Sequence, residues 1–143
     1  MKMVQRLFIE GPLPGLNTLI AAAKRFGEQI GRKGRRYNHY AAIKKEWGER
    51  IALIAKTQGI KPLQKKTFFV FFWYEPNRRR DPDNIAAGGR KIIFDALVHA
   101  GILPDDKWNY VAGWDDRFDL ANGGRPGVLI IMKEMENGAS SKN

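Results

Sequence analysis

Residues 66–75 read KTFFVFFWYE, the strongest strand signal in the chain. Aromatic and β-branched side chains favour extended backbone because they pack well on a pleated surface. An apolar run with almost no alternation predicts a central strand covered on both faces. A charged loop follows, PNRRRDPDN (76–84), and then a helix expected over Gly89–Ala100. Its Ile92, Ile93, Ala96, Leu97 and Ala100 recur on one face, and Gly101 is its stop. Beyond ILPDDK (102–107), WNYVAGW (108–114) reads as a strand that continues toward Leu120. After the turn ANGGRPG (121–127), VLIIMKE (128–134) is the last strand.

Upstream, VQRLFIE (4–10) is a strand that stops at Gly11-Pro12. PLPGLN (12–17) is a loop, and Asn17 is the expected cap of a helix from Thr18 to Ile30. GRKGRR (31–36) is a basic loop before a second helix from Tyr37 to Gln58, closed by Gly59. The order β-α-α-β-α-β-β predicts one α+β domain over residues 1–134, a mixed sheet with helices packed on it. Residues 135–143 form a polar tail expected to be disordered.

The 143 residues and 43% hydrophobic content suit a single domain with its own core. No cysteine is present, which excludes disulfides, thiolate metal sites and cysteine nucleophiles. No apolar run is long enough to span a bilayer, and MKMVQRLFIEG turns polar too quickly for a signal peptide. A cytoplasmic protein with no membrane partner is the expectation. The net charge of +10 draws polyanions, and nucleic acid is the first partner class it suggests. A solvated basic surface is the plainer alternative.

The acids are distributed unevenly. All eight aspartates lie between Asp81 and Asp119, whereas the glutamates are scattered. Short carboxylates gather either for turns or for a hard cation such as Mg²⁺, which takes oxygen ligands. Asp81 and Asp83 flank a proline, and i, i+2 spacing in extended chain sends both carboxylates to one side. Asp105 and Asp106 follow the next helix. Should that helix run antiparallel to the preceding strand, its far end lies away from Asp81, and the returning chain must bring one of the pair back. Arg78, Arg79, Arg80, Arg90 and Lys91 lie beside these acids and offset their repulsion of a phosphodiester. Gly88 and Gly89, read as preceding a helix start, would let a phosphate approach backbone N–H groups. The alternative reading makes D-P-D-N an Asx turn and Lys91–Asp95 a surface ion pair.

D-P-D-N, a following lysine, F-D-A-L-x-x-A-G-I and a D-D pair together resemble the RusA-like family of Holliday junction resolvases, in particular its phage and prophage branch. The match is dense over residues 78–111 and looser toward both ends. The resemblance implies a homodimer that nicks paired strands at four-way DNA junctions, in recombination and repair, with Mg²⁺ or Mn²⁺. It implies Asp81, Asp83 and Asp106 as metal ligands, with Asp105 the alternative to Asp106, and Lys91 as the catalytic lysine. The chain departs from the family in one place. The gap between Asn84 and Lys91 is longer by roughly one helical turn, so Arg90 competes with Lys91 for that role. Arg25, Arg32, Lys33, Arg35, Arg36, Lys44 and Lys45 are expected to contact DNA backbone, as are Arg78, Arg79, Arg80 and Arg90. Trp108 and Tyr110 are expected in the core, with base stacking as the alternative. Two rival functions remain: the same metal site acting on flaps or forks, and a noncatalytic basic nucleic-acid-binding protein.

Overall fold

The computed structural model describes residues 3–25 and 38–136. Four strands and three helices follow in the order β1 (Val4–Glu10), α1 (Leu16–Lys24), α2 (His39–Thr57), β2 (Thr67–Glu75), α3 (Pro82–His99), β3 (Val111–Leu120) and β4 (Gly127–Glu134). The expected α+β order is the one observed. The strands form one mixed sheet, β1-β4-β2-β3. β4 runs antiparallel to both β1 and β2, while β2 and β3 are parallel and are joined through α3.

β2 is central, but it is not covered equally on both faces. Thr67, Phe69, Phe71, Trp73 and Glu75 are buried, and the residues between them are only half-buried. The buried set joins Leu7 and Ile9 of β1 and Val128, Ile130 and Met132 of β4 in one core. Leu19 of α1, Trp47 and Ile51 of α2, and Ile92, Ile93 and Leu97 of α3 close that core from the helix side. Phe94 sets its ring edge-on against Phe69 and Phe71, with centroids 5.1 and 5.8 Å apart. The apolar run thus reflects one dry face and one half-buried face.

The third helix starts seven residues earlier than its apolar periodicity suggests. Asp81 is its N-cap residue and Pro82 opens the first turn, where a missing N–H costs nothing. The two glycines expected to precede the helix lie in its middle, where each costs about 1 kcal/mol in helix propensity relative to alanine. Packing accounts for them. A Cβ on Gly88 would fall 2.3 Å from the backbone carbon of Gly15, and one on Gly89 would fall 2.5 Å from the Trp73 ring. Here α3 crosses the start of α1 almost backbone to backbone.

That crossing also moves the first helix boundary. Gly15, not Asn17, is the N-cap of α1, and Asn17 lies in its first turn. The missing cap comes from Asn84, whose Oδ1 accepts the Asn17 N–H at 2.7 Å. The asparagine of D-P-D-N therefore ties α3 to α1. α1 is described through Lys24, with Arg25 as its C-cap residue, and the rest of its expected span lies outside the described residues. At the other terminus Met135 donates its N–H to the Lys66 carbonyl; residues 137–143 of the expected tail lie outside the described residues.

Candidate functional site

The β2–α3–β3 unit decides which acids can meet. β3 begins beside the start of β2, with Thr67 opposite Val111 and Glu75 opposite Leu120. Asp81 follows the end of β2, whereas Asp105 and Asp106 precede β3 and so lie at the other end of the sheet. The 18 residues of α3 correspond to roughly 27 Å of helix, and the nine-residue β2 gives a similar span. One chain therefore keeps Asp106 far from Asp81 and Asp83. Among the described residues, no three His, Asp or Glu side chains come together as a metal-binding group.

At the N-terminal end of α3, a cleft of about 300 Å³ is lined by Glu75, Asn77, Arg78, Arg80, Asp81, Phe118 and Asp119 among others. Asp81 caps the helix through its backbone but makes no side-chain capping bond. Asp83 is the acid of the first turn, where the helix dipole favours a negative charge. The spacing predicted two carboxylates on extended chain; they sit instead where extended chain becomes helix, with Cα atoms about 5 Å apart by helical geometry. Both are exposed. Among the described residues neither carboxylate has a hydrogen bond or ion pair.

The three arginines of the loop have different roles. Arg80 makes a two-pronged pair with Glu75, Nε to Oε1 at 3.0 Å and Nη2 to Oε2 at 2.8 Å. Its Nη1 donates to the Leu13 carbonyl at 2.8 Å. Arg80 thus locks the loop to β2 and to the segment before α1, and its charge is matched by a buried glutamate. Arg78 and Arg79 are exposed and, among the described residues, unpaired through their side chains. They remain available to an anion.

Arg90 is held as well. Its guanidinium forms an ion pair with Asp116 of β3 and lies over the Trp114 ring, 4.9 Å from the centroid. Asp116 also accepts the Trp73 indole N–H at 2.9 Å. The sequence assigns Arg90 to DNA phosphate or to the catalytic role beside Lys91, and a partner on a distant strand is not visible from local spacing; the acidic pair Asp115-Asp116 inside a strand was the available signal. Lys91, one residue on, is exposed. It stands about 15 Å along the axis from Asp81, farther than a lysine side chain spans.

The C-terminal end of α3 differs in kind. Asp106 lines a groove with Lys44, Lys45, Glu49, Asp95 and His99. Asp95 pairs with Lys44 of α2 at 3.4 Å rather than with Lys91. Asp105 accepts the Lys107 N–H at 2.8 Å, which is a turn role. Asp106 is exposed and, among the described residues, its carboxylate has no hydrogen bond or ion pair. Trp108 is 87% exposed, contrary to its expected core role, while Tyr110 packs against the core. Arg32, Lys33, Arg35 and Arg36 lie outside the described residues. Among the described residues no helix is long and apolar enough to cross a membrane. In comparisons with known proteins, no family model matches the chain, and no curated protein matches it.

Proposed function

We propose that the chain is a cytoplasmic, Mg²⁺-dependent endonuclease of branched DNA, a RusA-like Holliday junction resolvase. The observation that carries this reading is the pair Asp81 and Asp83. Two short, exposed carboxylates without partners sit on the first turn of α3, between unpaired arginines and a cleft. A turn-forming role leaves them unexplained, because Asp81 makes no capping bond through its side chain. They fit a Mg²⁺ site of the sparse kind, in which one or two carboxylates are joined by water and substrate phosphate. Bound there, the ion would polarise a phosphodiester and offset its charge during hydrolysis.

The chain's own residues do the rest. Arg78 and Arg79 hold DNA phosphates beside the cleft. Arg80 and Asn84 fix the loop and the helix start, so the two carboxylates keep their spacing. The resemblance adds Asp106 as a third essential acid and a homodimer as the working form. Within one chain Asp106 is at the wrong end of α3, so in this reading it is supplied by the second copy. A two-fold dimer would then carry two composite sites, suited to paired cuts across a four-way junction. Mn²⁺ is expected to substitute for Mg²⁺.

A synthetic four-way junction tests the proposal. The wild-type chain should nick it with Mg²⁺ and not with EDTA. Asp83→Asn should lower the nicking rate by roughly 1000-fold, comparable to losing a major electrostatic stabiliser, while junction binding persists. Near-normal nicking by Asp83→Asn would overturn the site. Tight binding without any nicking by wild type would favour the noncatalytic reading, and faster cutting of flaps than junctions would move the substrate.

A further inference from the structure

β3 carries two large aromatics that the core does not use. Trp114 and Phe118 project to the helix side of the sheet, beside Phe69 and Trp73 of β2, which are buried. Yet no residue of β3 is fully buried, and Trp114 and Phe118 remain 46% and 42% exposed. The helix layer stops short of this edge strand. Aromatics left open in this way form a surface to be covered by something.

The two rings lie four residues apart on one face, about 13 Å along the strand. Trp114 is held in place: Phe94 packs against it with centroids 5.9 Å apart, and the Arg90 guanidinium lies over it. Phe118 lines the cleft that contains Arg78 and Asp81. Between the rings stands Asp116, whose charge is taken up by Arg90 and by the Trp73 N–H. The strip therefore presents aromatic surface on which the Arg90–Asp116 pair is neutral, with the exposed Arg78 and Arg79 near its cleft end. A polyanion with flat apolar groups matches that pattern, and a single DNA strand has both.

We infer that Trp114 and Phe118 form a stacking platform for unpaired nucleotides, which leads a single strand along β3 into the cleft at the start of α3. The bases stack on the rings, as every base offers a π-face, and the arginines hold the phosphates. Duplex DNA keeps its bases stacked on each other and cannot use the platform. In the nuclease reading, on which the direction of the track rests, the platform would select branch points where bases open.

Binding without metal separates the two ideas. Fluorescence anisotropy in EDTA would compare a labelled oligo-dT strand with a blunt duplex of equal length. Trp114→Ala and Phe118→Ala should each weaken single-strand binding by roughly 5- to 100-fold and leave duplex binding nearly unchanged. Trp114→Phe, which keeps a ring, should retain most of the affinity. Equal losses on both DNAs, or no loss on either, would overturn the platform. So would a change in sedimentation with unchanged DNA binding, because the rings would then belong to a contact between copies. The junction-nicking assay on wild type reports the nuclease reading separately.

Discussion

The two ends of α3 both carry aspartates, yet they are built differently. At the N-terminal end the surroundings are fixed by tight, partly buried contacts: Arg80 clamps Glu75, Asn84 caps α1, and Gly88 lets two backbones touch. The two acids in that frame, Asp81 and Asp83, have no partners of their own among the described residues. At the C-terminal end the Lys44–Asp95 ion pair is longer, at 3.4 Å, with the lysine side chain largely in water, and Asp105 is spent on a turn. In the proposed nuclease the rigid frame around unsatisfied carboxylates would suit the metal, and the open groove, with Asp106 exposed in it, would supply an acid to the other copy's site. On that proposal the two ends would do unequal work within one shared chemistry.

The frame at the first end can be broken directly. Arg80→Ala would leave the buried Glu75 unpaired. Removing one partner of a buried pair costs about 3 kcal/mol, the low end of the usual range because Arg80 is partly solvated. That corresponds to a fall of roughly 10 °C in melting temperature. Lys44→Ala at the other end should cost only about 1 kcal/mol, since the lysine is 42% exposed and its removal opens the Asp95 carboxylate to water. Equal effects in thermal melts would erase the contrast.

Gly88→Ala sharpens the same point more gently. The added methyl meets Gly15 backbone, which cannot rotate away, so overpacking outweighs the gain in helix propensity. A net loss of about 2 kcal/mol is expected in denaturant unfolding; a stabilised variant would mean that α1 and α3 are not so closely joined. The smallest effects belong to exposed cations. Arg79→Ala and Lys91→Ala should each leave stability unchanged and reduce the salt dependence of junction binding by about one unit. A large loss of nicking without loss of binding in Lys91→Ala would restore the catalytic role that the family resemblance implies for it.

Much of this architecture was legible before the fold was known, and the failures share a cause. β1, β2 and β4 were found by residue type, because strand signals are local. The start of α3 was missed because Gly88-Gly89 looks like a break, and only contact with Gly15 and Trp73 gives the glycines a reason to sit inside a helix. Asn17 was read as a cap because its type suits one, but the cap is Asn84, 67 residues away. The acids of D-P-D-N were visible by spacing. That Asp106 lies beyond their reach was not, because it depends on β3 running parallel to β2. Arg90 failed for the same reason: its partner Asp116 is on another strand.

A composite site requires the two ends of α3 to act together across two copies. Asp83→Asn and Asp106→Asn should each abolish junction nicking alone. Mixed and allowed to exchange subunits, they should recover roughly a quarter of the wild-type nicks, because each mixed dimer of two-fold symmetry keeps one site with both acids intact. Activity that stays absent after verified exchange would contradict the composite site, as would an Asp106→Asn protein that nicks normally by itself.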